Sequence, residues 1–216
     1  MPRRITPLVN GEFYHIYNRG VEKRDVYLNY WDYKRFLKSL YYYQFLGPKP
    51  SFSKFSKSES SLFKPILENK VIEIICYCLM PNHFHLQVKQ LKEKGISIFM
   101  GQLLNSFTKY FNIKHKRVGS LFQGTFKTVR VETDEQLVHL SRYIHLNPIV
   151  SRVAKKLDDY KWSSFSEYMN EPVICSTSEI INFFPSKGKY REFVEAQIDY
   201  GRTLEIIKHQ VIEEAI

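Results

Sequence analysis

The sequence predicts an α+β fold of the ferredoxin-like or RRM-like type, with an antiparallel sheet that carries its helices on one face. Two observations support this prediction. Segments that alternate apolar and polar residues are separated by segments with apolar residues at helical spacing, in the order strand, helix, strand, strand, helix, strand, helix. The chain also has 216 residues, of which 44% are apolar, so it is long enough for one domain with a core.

The first elements are a strand, a helix and a loop. Residues 12–18 alternate loosely and end at Arg19-Gly20, which predicts a strand closed by a loop. Residues 31–45 have apolar side chains at helical spacing, and Gly47-Pro48 ends that helix. Residues 49–63 are dominated by Ser, Lys and Phe, and we predict that they form a mobile insertion.

A hairpin, a helix and a fourth strand follow. Residues 71–80 and 83–89 are predicted strands, and Pro81-Asn82 is the tight connection between them. The pattern of residues 96–116 predicts a long helix with a basic end, and residues 121–132 alternate well enough to form a strand.

The last helix of the main domain is predicted to start at a Thr133-Asp134 cap and to run to about Asn147. We assign residues 1–170 to the main domain. Residues 171–216 are predicted to be a C-terminal extension, helical from Tyr190 onward. A chain truncated after about residue 175 should therefore keep a folded core.

Several features favour a soluble protein of the cytoplasm. No segment approaches the roughly 18 uninterrupted apolar residues of a membrane span. The first residues, Met1-Pro2-Arg3-Arg4, lack the apolar part of a signal peptide. The three cysteines are odd in number and lack CxxC spacing, which argues against a disulfide framework, and Cys76 and Cys78 are expected on one face of a buried strand.

The charge indicates a polyanionic partner. The chain has 32 Lys and Arg against 22 Asp and Glu, which gives a net charge of +10. Such an excess of positive charge favours binding to the phosphates of a nucleic acid. Aromatic residues make up 15% and offer surfaces on which unpaired bases stack. The alternative is a basic protein that is merely soluble.

The densest motif is Met80-Pro81-Asn82-His83-Phe84-His85-Leu86. On a strand, residues two apart share a face, so His83 and His85 would point to one place while Phe84 faces the core. Two imidazoles can hold a divalent cation and leave positions open for water and substrate. The alternative is a pair of ordinary strand histidines.

The helix that ends near Asn147 separates into two stripes when its residues are placed at about 100° intervals. The core stripe is Leu137, Leu140 and Ile144, and the polar stripe is Gln136, His139, Tyr143 and Asn147. Tyr143 can keep its ring against the sheet and its hydroxyl beside the histidines. Two alternatives remain: Tyr143 is one of 15 tyrosines and can be an ordinary residue, and Asn147 can be the cap of a following helix that starts with Pro148.

Four motifs together resemble the REP-associated tyrosine transposases, which are single-tyrosine HUH transposases of the IS200-like superfamily. The similarity covers about residues 5–170 in the right order. The motifs are Tyr14-His15-Ile16-Tyr17-Asn18-Arg19-Gly20, Met80-Pro81-Asn82-His83-Phe84-His85-Leu86, Gly119-Ser120-Leu121-Phe122-Gln123-Gly124 and Arg142-Tyr143-Ile144-His145-Leu146-Asn147-Pro148.

This resemblance implies a catalytic domain that is a metal-dependent DNA transposase and single-strand nuclease. His83, His85 and Asn147 would hold Mg²⁺ or Mn²⁺, although Asn147 stands where the wider group often has glutamine. Tyr143 would attack single-stranded DNA at a hairpin of REP type and form a 5′-phosphotyrosine link. A monomer or a homodimer is expected.

Basic residues near these motifs are candidates for contacts to the DNA backbone. They are Arg3, Arg4, Arg19, Lys127, Arg130 and Arg142.

Two other functions are compatible with the pattern. A non-catalytic module that binds single-stranded nucleic acid through an RRM-like sheet would stack bases on Tyr14 and Phe126. A metallohydrolase with a water nucleophile would cut DNA without using Tyr143.

Overall fold

The protein is described by a computed structural model over residues 7–57 and 67–199. Its centre is a four-stranded antiparallel sheet in the order β2-β3-β1-β4. The strands are β1 (Phe13–Arg19), β2 (Ile72–Met80), β3 (His83–Gln90) and β4 (Lys127–Val131). This order is the ferredoxin-like one, so the α+β class is confirmed.

Seven α-helices and three short 3₁₀ helices surround the sheet in the described part of the chain. The α-helices are α1 (Tyr30–Tyr43), α2 (Phe52–Lys57), α3 (Gly95–Lys114), α4 (Asp134–Val150), α5 (Phe165–Met169), α6 (Ser178–Ile181) and α7 (Lys187–Glu195). The 3₁₀ helices are Val21–Lys23, Leu67–Asn69 and Leu157–Asp159. None of these helices has the length and apolar character needed to cross a bilayer.

The first core lies between the sheet and the helices α1 and α3. Phe84, Leu86 and Val88 of β3 are fully buried in it, together with Tyr14 and Ile16 of β1. The alternation along β3 predicted this direction, and the structure confirms it.

A second core lies on the opposite face, where α4 packs on β2 and β3. The expectation that all helices share one face is therefore wrong. Cys76, Cys78 and Met80 of β2 point to this second face and are as buried as their neighbours that point to the first. A strand that is apolar on both faces must be covered on both, and Ile144 of α4 covers this one.

Helix α4 begins as predicted, since the Thr133 side chain accepts a hydrogen bond from the backbone N–H of Gln136. It does not end at Asn147 but continues through Pro148 to Val150. Proline is tolerated so close to the end because only one intrahelical hydrogen bond is lost there. Asn147 is thus inside a helix and does not cap a new one.

The fourth strand is shorter than predicted. The expected strand covers residues 121–132, but β4 begins at Lys127. Gly124 has a φ of +65°, which turns the chain away from the sheet before β4. Leu121 and Phe122 are buried in the first core, so their apolar character reflects packing of a loop.

The described part of the predicted insertion, residues 49–57, contains α2. Phe52 of α2 is buried, and its ring lies 5.0 Å from that of Tyr42 on α1. This part of the insertion is therefore packed on α1. Residues 58–63 lie outside the described residues.

The described part of the extension, residues 171–199, will be called the tail. It joins the second core, where Ile180, Tyr190 and Val194 are fully buried. The backbone N–H of Ser176 also donates to the carbonyl of Ile74 on β2. The tail is thus packed on the main domain as part of the same core.

Candidate active site

His83, His85 and Tyr143 come together on the second face of the sheet. The rings of His83 and His85 are perpendicular, with centres 5.1 Å apart. The Tyr143 ring lies edge-on to His85 at 5.5 Å, and the residue is 52% exposed. The structure thus places a tyrosine from α4 beside two histidines from β3, as the two stripes of α4 predicted.

The histidines lie at the start of a central strand. Strand β3 has β2 on one side and β1 on the other. His85 is opposite Cys78 of β2 and Tyr17 of β1. A central strand is hydrogen-bonded on both sides, so the direction of its side chains is more firmly fixed than at an edge.

Helix α4 is attached to this face by a buried polar contact. Gln87, two residues after His85, donates from Nε2 to the carbonyl of Leu137 at 2.8 Å. Gln87 is fully buried and accepts from the Cys76 thiol. The same strand that carries the histidines therefore also holds the helix that carries Tyr143.

A cavity of about 910 Å³ opens beside these side chains and will be called the site cavity. It is lined by the two histidines, by Tyr143 and Asn147 of α4, and by residues of β1 and the β2–β3 turn. Gln197 of the tail also lines it. The volume is that of a pocket for a small molecule or for part of a larger chain.

His15 of β1 is a residue of this site for which the sequence analysis had no role. Its Nε2 lies 2.9 Å from Nδ1 of His85, and the two rings are stacked with centres 5.1 Å apart. Tyr143 lies edge-on to it at 6.1 Å. Its face could have been found from the sequence, because His15 and Tyr17 alternate with the core residues Tyr14 and Ile16 and so point to the opposite face of the sheet.

His83 is held in a comparable way. Its Nδ1 lies 2.6 Å from Oδ1 of Asn82, the residue before it. The Asn82 amide nitrogen donates to the carbonyl of Lys23 at 3.1 Å, which fixes the direction of the amide. In each histidine of the pair, Nδ1 therefore has a defined partner.

Burial keeps His15 and His85 uncharged at neutral pH. It lowers the pKa of His15 to about 4. It also lowers the pKa of His85 to about 2, where charges on His15, His83 and Arg19 add to the effect. A neutral imidazole keeps the lone pair that a metal ligand needs.

The donor set suits a divalent cation that also takes oxygen ligands. Both histidines and Asn147 line the site cavity, and the Asn147 amide nitrogen donates to the carbonyl of Tyr143 at 3.1 Å. Its side-chain oxygen is then the atom that can act as a ligand. Among the described residues, no three His, Cys, Asp or Glu side chains are placed to hold a metal, so further ligands would be oxygens of Asn147, water or substrate.

Three of the predicted DNA contacts lie at this cavity. Arg19, Lys127 and Arg142 line it, and Asp25 is the acidic residue among its lining. The Arg142 guanidinium stacks on Phe193 of α7 at 4.2 Å. The cavity is thus positive on balance, which favours an anion such as phosphate.

A fourth predicted DNA contact, Arg130, is not brought to the cavity. Arg130 is opposite Tyr14 in the sheet register, so it points to the first face, and it forms an ion pair with Glu12 at 3.0 Å. Successive side chains of a strand point to opposite faces, so the β4 residues on the second face are Val129 and Lys127 and not Arg130. Arg3 and Arg4 lie outside the described residues.

Comparisons with known proteins show which class of protein this chain is similar to. The family model described as transposase IS200 like matches residues 51–147, which include both histidines, Tyr143 and Asn147. The predicted resemblance is thereby confirmed: residues 51–147 of the chain are similar to the IS200-like transposases.

Two of the proteins to which the chain is similar carry the name REP-associated tyrosine transposase. A Haemophilus influenzae protein assigned as one is 26% identical over 116 residues, and the alignment covers 49% of this chain and 65% of the relative. A solved structure of a REP-associated tyrosine transposase bound to a REP hairpin has a TM-score of 0.53 and 14% identity, over 78% of this chain and 86% of that one. That structure supports the fold.

Proposed function

We propose that this protein is a transposase that cuts and rejoins single-stranded DNA at hairpins of REP type. The observation that carries the proposal is the placement of Tyr143 at 5.5 Å, ring to ring, from His85 in a positively charged cavity. The similarity to the REP-associated tyrosine transposases supports the substrate class, because one of them is described as bound to a REP hairpin.

In this proposal Tyr143 is the nucleophile. Its oxygen bonds to the scissile phosphorus, the bond from phosphorus to the 3′ oxygen breaks, and the phenol proton passes by way of water to the leaving 3′ oxygen. The products are a 5′-phosphotyrosine and a free 3′-hydroxyl. Attack by a 3′-hydroxyl reverses the step and joins strands, and no ATP is needed because the covalent link conserves the bond energy. Exposure of about half of Tyr143 leaves room for DNA to approach it.

We propose that His83 and His85, with Asn147, hold Mg²⁺ or Mn²⁺. When bound, such a cation polarises a phosphate oxygen and offsets the charge that develops during in-line attack. The chain supplies two imidazoles whose Nδ1 atoms already have partners. Arg19, Lys127 and Arg142 would bind the flanking phosphates.

One chain carries the whole set of proposed catalytic groups, so a monomer or a homodimer can act without exchanging helices. We place the protein in the cytoplasm, in keeping with its three buried free cysteines and a DNA substrate.

The test is adduct formation on labelled hairpin oligonucleotides with Mn²⁺, followed by denaturing gels. The wild type should give a covalent protein–DNA adduct, and Tyr143→Phe should give none. Tyr30→Phe is a matched control, because Tyr30 is 53% exposed but lies on α1. Cutting without an adduct in both the wild type and Tyr143→Phe would instead indicate a water nucleophile.

The binding-module alternative is less compatible with the structure. The rings it would use belong to Tyr14, which is fully buried in the first core, and Phe126, which is packed against the same core. Neither is on the open part of the sheet, so neither is placed to stack on bases. The alternative also gives no role to the contact between Tyr143 and His85.

A further inference from the structure

We infer that His15 is a positioning residue, which accepts a hydrogen bond from Nδ1 of His85 and thereby presents Nε2 of His85 to the site cavity. This inference rests on the proposed function, since it assigns a task within the same site. His15 would act through His85 and would not touch the metal or the DNA.

The sheet register makes the contact possible. Tyr17 is the direct neighbour of His85 across the β1–β3 ladder, and His15 is two residues from Tyr17 on the same face. Such diagonal pairs are within reach of ring side chains. The stacked rings, with Nε2 of His15 at 2.9 Å from Nδ1 of His85, show that this pair is in contact.

The hydrogen bond distinguishes the two nitrogens of His85. A neutral imidazole has one N–H and one lone pair, and the nitrogen that binds a metal must be the one without the proton. If His15 accepts at Nε2, the His85 proton stays on Nδ1 and the lone pair is on Nε2. A ligating histidine commonly has its other nitrogen held in this way by a neighbouring group.

His15 is placed behind the cavity and not in it. His83 and His85 line the site cavity, whereas His15 is absent from its lining. Its Nε2 is also engaged by His85, so that atom is not available as a ligand while the pair is intact. Asn82 stands in the same relation to His83, at 2.6 Å, so the two strand histidines are supported from two separate elements.

Substitutions can separate the hydrogen bond from the packing. His15→Phe keeps a flat ring beside His85 and Tyr143 but has no acceptor. His15→Gln loses the ring but places an amide oxygen near the position of Nε2. A purely structural role in packing predicts that phenylalanine is the better replacement, whereas the positioning role predicts that glutamine is.

The first measurement is the tautomer of His85 in the metal-free full-length protein, read from imidazole nitrogen shifts by NMR. The wild type and His15→Gln should carry the proton on Nδ1, and His15→Phe should show a mixture or the other tautomer. A wild-type proton on Nε2, or the same tautomer in all three proteins, would overturn the inference. Thermal melts of each variant verify that it is folded.

The second measurement is Mn²⁺ affinity, followed by electron paramagnetic resonance. His15→Phe should weaken Mn²⁺ binding by about 10- to 100-fold, the effect expected for loss of a group that orients a ligand. His15→Gln should stay within a few-fold of the wild type, and equal affinities in all three would contradict the inference. Adduct formation by the wild type tests the proposed function separately, so its failure would leave the tautomer result readable.

Discussion

On β3 and α4, the spacing of two pairs of residues fixes the direction of the side chains at the candidate active site. His83 and His85 are two residues apart on a strand, and Tyr143 and Asn147 are four residues apart on a helix, so each pair shares a face. The Gln87 side chain then brings the two faces together by its bond to α4. The geometry of the proposed chemistry therefore rests on a few local contacts.

Replacing either histidine should remove cleavage and spare DNA binding. His83→Ala and His85→Ala should each lower the cleavage rate by at least about 1,000-fold, because a cation that offsets charge contributes several kcal/mol to the transition state. Hairpin affinity, measured by fluorescence anisotropy, should change less than a few-fold. Parallel loss of affinity and cleavage would indicate that the histidines support the fold instead.

His145 gives the fold a dependence on pH. It is fully buried in α4, with Nδ1 2.8 Å from the Tyr190 hydroxyl and Nε2 2.8 Å from the Ser164 hydroxyl, and it faces the rings of Phe165 and Tyr168. None of these neighbours is charged. Burial lowers the pKa of His145 to about 3. Between pH 6.5 and pH 3 the unfolded chain therefore binds more protons at this residue, and stability falls as the pH falls.

At pH 5 the loss from this one histidine should be about 2 kcal/mol relative to pH 7. Urea unfolding of the wild type and of His145→Gln at both pH values measures it. The glutamine variant should lose about 2 kcal/mol less than the wild type on acidification, whatever its stability at pH 7. An identical loss in both proteins would assign the acid sensitivity to other groups.

Sequence alone predicted which histidines and which tyrosine would meet, because their spacing already determines the faces they share. It assigned no task to His15, since alternation along a strand gives the face on which a histidine lies but not the residue that it meets across the sheet. The β1–β3 register supplies that information, and the register depends on the whole sheet. Arg130 was misplaced for the same reason, because its face follows from its pairing with Tyr14.

Helix α4 lies between the sheet and the tail. On one side it packs on β2 and β3, and on the other the Tyr190 hydroxyl of α7 bonds to His145 and donates to Ser141 of α4 at 3.0 Å. Arg142 and Tyr143 belong to the same turns. The tail therefore supports the helix that carries the proposed nucleophile.

Removing the Tyr190 hydroxyl should destabilise the fold by about 1–3 kcal/mol, because buried polar groups of His145 and Ser141 lose a partner. Urea unfolding of Tyr190→Phe measures this cost. Tyr30→Phe, at an exposed position, should change stability by less than about 0.5 kcal/mol. Equal values for the two variants would contradict a role for this network.

Truncation after residue 175 should now be far more damaging than the sequence indicated. It removes Ile180, Tyr190 and Val194, each fully buried in the second core, and burial of each such side chain contributes about 1.5–3 kcal/mol. We expect an insoluble or partly unfolded product, judged by gel filtration and circular dichroism. A soluble product with a cooperative unfolding transition would show that the main domain is independent of the tail.

The periodicity of apolar residues predicted the existence and order of the helices and strands, because each periodicity depends only on the sequence of its own segment. They did not predict the second layer of helices. Cys76 and Cys78 showed only that β2 is buried, and which helix covers them depends on the path of the chain after β4. The early start predicted for the fourth strand has a similar origin, since Leu121 and Phe122 alternate like strand residues but pack as a loop.

Only part of the positive charge of the molecule is available to bind DNA. The net charge is +10, yet some cations serve the fold: Lys114 at the end of α3 pairs with the buried carboxylate of Asp32 at 2.7 Å. The basic end predicted for that helix is thus partly neutralised. Arg19, Lys127 and Arg142 at the site cavity are the better candidates for phosphate contacts.

Hairpin binding should weaken as salt is added. Three phosphate contacts on a single strand predict a slope of log affinity against log salt of about −2, at about 0.7 per contact. Lys127→Gln should reduce the slope by about 0.7. Lys94→Gln, at the start of α3 and the opposite end of β3, should leave it unchanged. A flat response in the wild type would contradict binding through phosphates.

Because α4 covers β2 and β3, the half of the second face formed by β1 and β4 has less cover, and 53% of Val129 is exposed there. A groove that is open along its side can receive the middle of a long polymer laid into it sideways. No free end has to be threaded through. Under the proposed function, an interior position of a long DNA strand would be as reachable as the end of an oligonucleotide, provided that the strand is locally unpaired.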